Sequence, residues 1–222
     1  MIEIKNLTKV FYTKEIKTTA LNAVNLDVER GTFLSIMGPS GCGKSTLLNM
    51  IGLLDQPTGG HIVINGTEVT AMRDAETAKF RNNVLGFIFQ SFHLIPALNV
   101  LDNVELPLLY RSNVSEKECR KRALDVLEKV GLSHRLKHFP SQLSGGQCQR
   151  VAIARALIGK PEIILADEPT GNLDSKMSDE IMKLLVEING EGTTIVMVTH
   201  DEKIAGQTQK IVRMLDGIIS AV

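Results

Sequence analysis

The chain is poor in cysteine, with three in 222 residues, Cys42, Cys119 and Cys148. Thiols this few and this scattered build no disulfide framework. With no Cys-x-x-Cys pair to suggest zinc or dithiol chemistry, a reducing cytosol is the expected setting. Neither sign of charge is in excess, since Lys plus Arg and Asp plus Glu each count 25. Proteins that track a nucleic-acid backbone are normally basic, so no nucleic-acid partner is expected. Long apolar runs are missing too. A membrane-spanning helix needs about 18 consecutive apolar residues, and stretches such as Met50 to Leu54 and Ile195 to Val198 fall far short. Any membrane involvement is therefore expected to come through a partner. The acid at Glu3, with no apolar run behind it, argues against a secretory signal. Internal repeats and low-complexity linkers are absent as well. With 43% hydrophobic and 23% charged residues, the composition is that of an ordinary globular chain, not of a disordered, collagen-like or coiled-coil one.

What is present is an alternation of short Val-, Ile- and Phe-rich runs with helical patterns, which points to α/β construction. Phe33 to Met37, Gly86 to Phe89, Glu162 to Ala166, Thr194 to Val198 and Ile211 to Leu215 are apolar almost throughout. Parallel strands covered on both faces read this way. Ile2 to Lys5 and His61 to Ile64 alternate instead and predict antiparallel strands with one exposed face. From about 91 to 160 the character changes. Ser115 and Glu118 form a capping box before a helix that aligns Cys119, Ala123, Val126, Leu127 and Val130, with Gly131 as its C-cap. The expected organisation is one domain over 1–222. Its α/β core spans about 1–90 and 160–222, includes an antiparallel β subdomain, and carries an inserted helical subdomain at about 91–160.

Gly38-Pro39-Ser40-Gly41-Cys42-Gly43-Lys44-Ser45 fits Gly-x-x-x-x-Gly-Lys-Ser. It follows the strand Phe33 to Met37 and precedes a helical run at Thr46 to Leu54, the context this phosphate-binding motif requires. Glycines let several backbone N–H groups turn inward, and the helix N-terminus adds positive dipole. Lys44 is expected on the β- and γ-phosphates and the Ser45 hydroxyl on Mg²⁺. Asp167 and Glu168 close an apolar strand, at the carboxyl end where open α/β sheets bind ligands. Their side chains alternate in direction. Asp167 suits Mg²⁺, and Glu168 suits polarising an attacking water.

A second phosphate-grasping element is Leu143-Ser144-Gly145-Gly146-Gln147, which opens the helix running on through Val151 to Ile158. It offers a hydroxyl, close backbone approach and free N–H groups at a positive helix end. Two such elements with one set of acids imply either two nucleotides or one held from both sides.

These residues resemble the nucleotide-binding domains of ATP-binding cassette (ABC) transporters, whose hallmark is this Leu-Ser-Gly-Gly-Gln signature. The resemblance covers nearly the whole chain. It implies a P-loop ABC-type ATPase fold and ATP hydrolysis with Mg²⁺. Gln90 resembles the Q-loop glutamine that senses Mg²⁺ and meets the membrane partner. Gly171-Asn172-Leu173-Asp174 resembles the D-loop that crosses the dimer interface, and His200 the switch histidine at the γ-phosphate. Phe11 stands where the family stacks an aromatic on adenine, with Tyr12 next to it. The implied nucleotide set is Phe11, Gly38 to Lys44, Ser45 and Thr46, joined by Ser144, Gly145, Gly146 and Gln147. Ser45, Gln90 and Asp167 are the implied metal ligands, with Glu168, His200, Lys44 and Gln90 catalytic. Cys148 departs from the Gln or Glu usual after the signature.

Gly86 to Pro96, Asn103 to Leu108 and Leu165 to Asp174 resemble, within the family, the macrolide-export (MacB-like) and lipoprotein-release (LolD-like) ATPases, with the cell-division ATPase FtsE close by. The resemblance implies a homodimer formed on ATP that drives a separate FtsX/MacB-like permease from the cytoplasmic face of a prokaryotic membrane. DNA-repair cassettes insert coiled coils or zinc modules between loop and signature. Here Lys44 and Ser144 are 100 residues apart, with no sustained heptads. Translation-type factors carry two cassettes in tandem, and small-molecule P-loop kinases lack the signature. Ser91, Phe92, Leu94, Ile95, Pro96 and Leu98, after Gln90, put apolar side chains in a turn-rich segment expected to form the permease contact.

Overall fold

The computed structural model describes residues 1–12 and 17–220, so Val222, where the expected domain ends, lies outside the described residues. In chain order the elements are β1 (Ile2–Tyr12), β2 (Lys17–Val28), β3 (Phe33–Met37), α1 (Lys44–Ile51), β4 (Gly59–Ile64), β5 (Thr67–Glu68), α2 (Asp74–Val84) and β6 (Leu85–Phe89). There follow α3 (Val100–Leu109), α4 (Glu116–Lys129), α5 (Gly145–Leu157), β7 (Ile163–Asp167), α6 (Ser175–Gly190), β8 (Thr194–Thr199), α7 (Glu202–Ala205), β9 (Lys210–Leu215) and β10 (Ile218–Ser220).

Among the described residues the strands form two sheets. One is antiparallel, in the order β2-β1-β4-β5, and pairs Ile2 with Ile64 and Ile4 with Ile62. The other runs β10-β9-β3-β8-β7-β6 and is parallel except for β10. Its central strands are apolar almost throughout because both faces are covered. Along β7, Ile164 and Ala166 face a cluster with α3, α4, α5 and α6, while Ile163 and Leu165 face a second cluster with α1 and the antiparallel sheet. Along β8, Ile195 and Met197 divide from Val196 and Val198 in the same way. The chain has the α/β cassette fold expected, with its antiparallel and mostly parallel sheets.

Boundaries moved by small amounts for local reasons. Helix α1 starts at Lys44 rather than Thr46 and ends at Ile51 rather than Leu54. It stops there because a Cβ on Gly52 would stand 2.7 Å from the Phe87 ring, and Leu53 turns left-handed at φ 54°. The capping box at Ser115 is half formed. The Ser115 hydroxyl accepts the Glu118 N–H at 3.2 Å, but the Glu118 carboxylate is taken by Arg122 at 2.6 Å. Val130 caps α4, with Gly131 one step beyond at φ 75°. Helix α2 is absent from the sequence expectation because it buries none of its residues and so lacks an apolar stripe.

Candidate nucleotide site

Strand order explains why the quoted motifs meet. β3, β8, β7 and β6 are neighbours in the sheet, and their carboxyl ends carry the Gly38 to Lys44 loop, His200, Asp167 with Glu168, and Gln90 respectively. The loop's glycines are required by its backbone. Gly43, the N-cap of α1, has φ 105°, and a Cβ there would stand 2.4 Å from the Ala20 carbonyl of β2. Gly38 has φ 158°, and a Cβ there would stand 2.1 Å from the Met214 carbonyl. The loop is thus wedged between β2 and β9 at the N-terminus of α1, whose positive dipole end favours a phosphate.

Lys44 is buried and donates to the Gly38 and Pro39 carbonyls at 2.8 and 2.9 Å. Its ammonium is held over the loop by two neutral acceptors, and an arriving phosphate oxygen can replace them. The Ser45 hydroxyl donates to Asp167 Oδ1 at 3.0 Å, across from the loop to the end of β7. Burial pushes the Asp167 carboxyl above its ordinary value. The Ser45 hydroxyl pulls it down, Glu168 raises it and Lys44 lowers it. A poorly solvated carboxylate beside a hydroxyl is a hard-oxygen pair that fits Mg²⁺ by the chemistry of its donors.

Glu168 points the other way, as the alternation predicted. Its carboxylate accepts from His200 Nδ1 at 2.9 Å. Its backbone is left-handed, φ 44°, because its N–H is drawn to Val198 O at 3.0 Å while its carbonyl receives the Gly171 N–H at 3.0 Å. A non-glycine residue in that region costs about 1–3 kcal/mol and persists where surroundings over-determine it. A hollow of about 220 Å³ opens beside Glu168 and His200, between the starts of α6 and α7.

Gln90 lies on the D-loop rather than free. Its Nε2 donates to Asn172 Oδ1 at 3.3 Å, and Asn172 Nδ2 donates to the Gln90 carbonyl at 3.0 Å. Asp174 caps α6, accepting the Met177 N–H at 2.9 Å. Phe11 is half exposed in β1 with Lys9 Nζ 5.0 Å from its ring centre, and Tyr12 is more open still. Phe11 pairs with Thr18, two residues along β2 from the Ala20 that abuts Gly43.

Ser144 is not brought to this group. With Gln147 it forms a full capping box on α5, donating its N–H to Gln147 Oε1 at 3.0 Å and accepting the Gln147 N–H at 3.3 Å. The nearest neighbours of a Cβ at Gly145 or Gly146 belong to Leu173, Phe92, Asn172 and Met177, none of them in the loop. Cys42 and Cys148 are both buried, and burial pushes the Cys148 thiol up. Among the described residues there is no group of three or more His, Cys, Asp and Glu side chains that could hold a metal ion.

In the segment after Gln90, Ile95 and Pro96 are exposed. Leu94 packs into the core, and buried Asn103 ties down the Ile95 N–H and the Ile95, Leu98 and Asn99 carbonyls. An open groove of about 1170 Å³ does run beside β6, but from this segment it takes only His93. Its other walls include Phe87, Phe89 and Tyr110. Two residues that sequence reasoning passed over stand out here. Arg155 of α5 donates to the Phe92 and His93 carbonyls at 2.8 and 2.6 Å, and both of those residues are left-handed. Arg111 bridges Asn82 and Gly159. Neither belongs to a recognised motif, and their partners lie 62 and 63 residues away from Arg155 and 29 and 48 from Arg111, beyond any local pattern.

A strand-borne phosphate loop facing paired acids, with a histidine between them in the sheet, defines a nucleotide-hydrolysing cassette. A family model described as "ABC transporter" matches residues 21–171. The chain belongs to that family: it is the ATP-binding subunit of an ABC transporter and an ATPase. It is 52% identical over 219 residues to the uncharacterized ABC transporter ATP-binding protein MJ1508 of Methanocaldococcus jannaschii, covering 99% of this chain and 97% of that one. It is 50% identical to the macrolide export ATP-binding/permease protein MacB of Chlorobaculum tepidum over 99% of this chain but 33% of that protein, so it spans about a third of the MacB relative. Among solved structures, the dimeric post-hydrolysis state of the cassette MJ0796 bound to ADP and Pi superposes with a TM-score of 0.92 at 49% identity, covering 100% of this chain and 97% of that one. That cassette is dimeric, and its ligands, ADP and Pi, are the products of ATP hydrolysis.

Proposed function

We propose that the chain works as an ATP-sandwiched homodimer that drives a separate permease of MacB/FtsX type, with residues 1–222 forming one cassette and about 91–160 its helical signature portion. One observation carries the dimer. The phosphate loop and Ser144-Gly145-Gly146 have different neighbours within one chain, so a signature that grips phosphate must serve another copy's loop. The relatives named as dimeric cassettes support this reading. A two-fold arrangement then gives two equivalent sites. Within each, Lys44 and the loop amides hold the phosphates, Ser45 and Asp167 with Gln90 hold Mg²⁺, and Phe11 stacks on adenine. Bound Mg²⁺ neutralises charge on the phosphoryl oxygens. Glu168 takes the proton of the attacking water, and His200 contacts the γ-phosphate. Donating Nδ1–H to Glu168 leaves a neutral His200 with only a lone pair at Nε2. For His200 to donate to phosphate, it must release Glu168 or hold both protons. The permease reading is supported by the fused relative named MacB. It is supported also by the open groove beside β6, where Tyr110 is 82% exposed. No helix among the described residues is long and apolar enough to cross a membrane, so the permease would carry the crossing.

The test is nucleotide-dependent assembly. Glu168→Gln in excess ATP is expected to double in mass by light scattering, and removal of ATP to return it to the monomer. A Glu168→Gln chain that stays monomeric at saturating ATP rejects the sandwich. For the permease, Tyr110→Glu is expected to leave nucleotide binding intact and to lose the membrane subunit on co-purification from native membranes.

A further inference from the structure

We propose that Asn172 is the positioning residue that aims Gln90 at the cation, by fixing which end of the Gln90 amide is free. This rests on the reading of Gln90 as a Mg²⁺ ligand. The argument follows hydrogen-bond polarity. A backbone carbonyl can only accept, so the Asn172 atom 3.0 Å from the Gln90 carbonyl must be its NH₂ group. That leaves Asn172 with its oxygen toward the Gln90 side chain. An oxygen accepts, so Gln90 must turn its own NH₂ group to it, at 3.3 Å. Both donors of the contact are then accounted for, and Gln90 Oε1 is the atom left over. Among the described residues no protein donor reaches it. A hard cation takes oxygen and refuses an amide nitrogen. The ligating end is thus selected before any cation arrives, as outer-shell partners do for other metal ligands.

The D-loop backbone is shaped to this task. A Cβ at Gly171 would stand 2.7 Å from Gln90 Nε2 and 3.1 Å from its Cδ, so any larger residue pushes the amide off its seat. Gly171 and Asn172 also come three and four residues after Glu168, with the Gly171 N–H bonded to the Glu168 carbonyl at 3.0 Å. The base and the seat of Gln90 are therefore parts of one turn. Movement of the D-loop shifts both together, which gives Gln90 a position that depends on the state of that loop.

The experiment measures the gain in ATP affinity that a cation brings, without turnover. In a Glu168→Gln background, ATP dissociation constants are determined in Mn²⁺ and in EDTA, and their ratio is the gain. Asn172→Ala is expected to keep the EDTA value and to lose about tenfold of the Mn²⁺ gain, the lower end of what outer-shell loss costs in metal affinity. Gly171→Ala is expected to do the same through displacement rather than deletion. On a Gln90→Ala background, Asn172→Ala is expected to add nothing. A full Mn²⁺ gain in both Asn172→Ala and Gly171→Ala overturns the inference, as does an equal loss with and without Gln90. If Gln90→Ala itself keeps the gain, the reading of Gln90 as a ligand fails, a result distinct from failure of Asn172 alone.

Discussion

Arg155→Met removes a guanidinium and leaves most of its stem. In the folded chain that group donates to Phe92 O at 2.8 Å and His93 O at 2.6 Å. Burial lowers the pKa of Arg155, which marks the cost of holding a charge there. Each bond from a charged donor is worth about 1.5–3 kcal/mol. The carbonyls it serves belong to two residues at φ 60° and 48°, each strained by about 1 kcal/mol or more and held in that region by its surroundings. Against this, the substitution removes a desolvated charge and returns an exposed His93 to water. The net loss expected is about 2–4 kcal/mol, below the gross value of two bonds because part of the desolvation is recovered. Equilibrium urea unfolding at neutral pH reads it as a lower midpoint with an unchanged slope. Hydrogen exchange at residues 91–95 is expected to quicken beyond the global change, since the turn is released first. Arg155→Lys, which keeps one charged donor, is expected to recover about half of the loss. A loss below about 0.5 kcal/mol in Arg155→Met, the range of neutral surface changes, would refute the claim that this arginine holds the turn.

The other expectations concern the site. Glu168→Gln should bind ATP and lose about 10²-fold or more in steady-state turnover, the contribution of a positioned base; unchanged hydrolysis removes Glu168 from that role. Asp167 keeps its proton more tightly folded than unfolded, so its contribution to metal-free stability falls as pH rises through and above its ordinary value. Asp167→Asn should therefore raise the metal-free melting temperature at neutral pH and abolish the gain from Mg²⁺, and equal melting of both proteins would contradict this. Gly43→Ala puts a Cβ 2.4 Å from Ala20 O; it should lose ATP binding at least tenfold by equilibrium dialysis, and wild-type affinity would show that the loop tolerates the shift.

The motifs were legible because the loop, the acids and the signature are each contiguous, and the loop and the acids sit where an apolar strand stops. The buried strands were legible because double coverage makes the interiors of β7 and β8 apolar on both faces. The contacts that tie the motifs together were not. Asn172 lies within a quoted motif, yet its pairing with Gln90 spans 82 residues and depends on β6 lying beside β7. Arg155 reads as an ordinary helix residue until its partners, 62 and 63 residues earlier, come into place. The apolar residues after Gln90 read as one surface. The fold instead uses Leu94 as core and gives Asn103 the task of organising the turn, which no local pattern reveals. Helix α2 failed for the opposite reason, having no buried face to leave a period in the sequence.

The sandwich is the claim on which the rest depends, and the mass of Glu168→Gln as a function of ATP tests it most directly. A chain whose loop and signature serve different copies should pass from one cassette to two as ATP is added, with Ser144→Arg abolishing the transition while leaving monomeric ATP binding intact. A mass that stays at one cassette at saturating ATP, or a Ser144→Arg chain that still dimerises on ATP, would contradict the account.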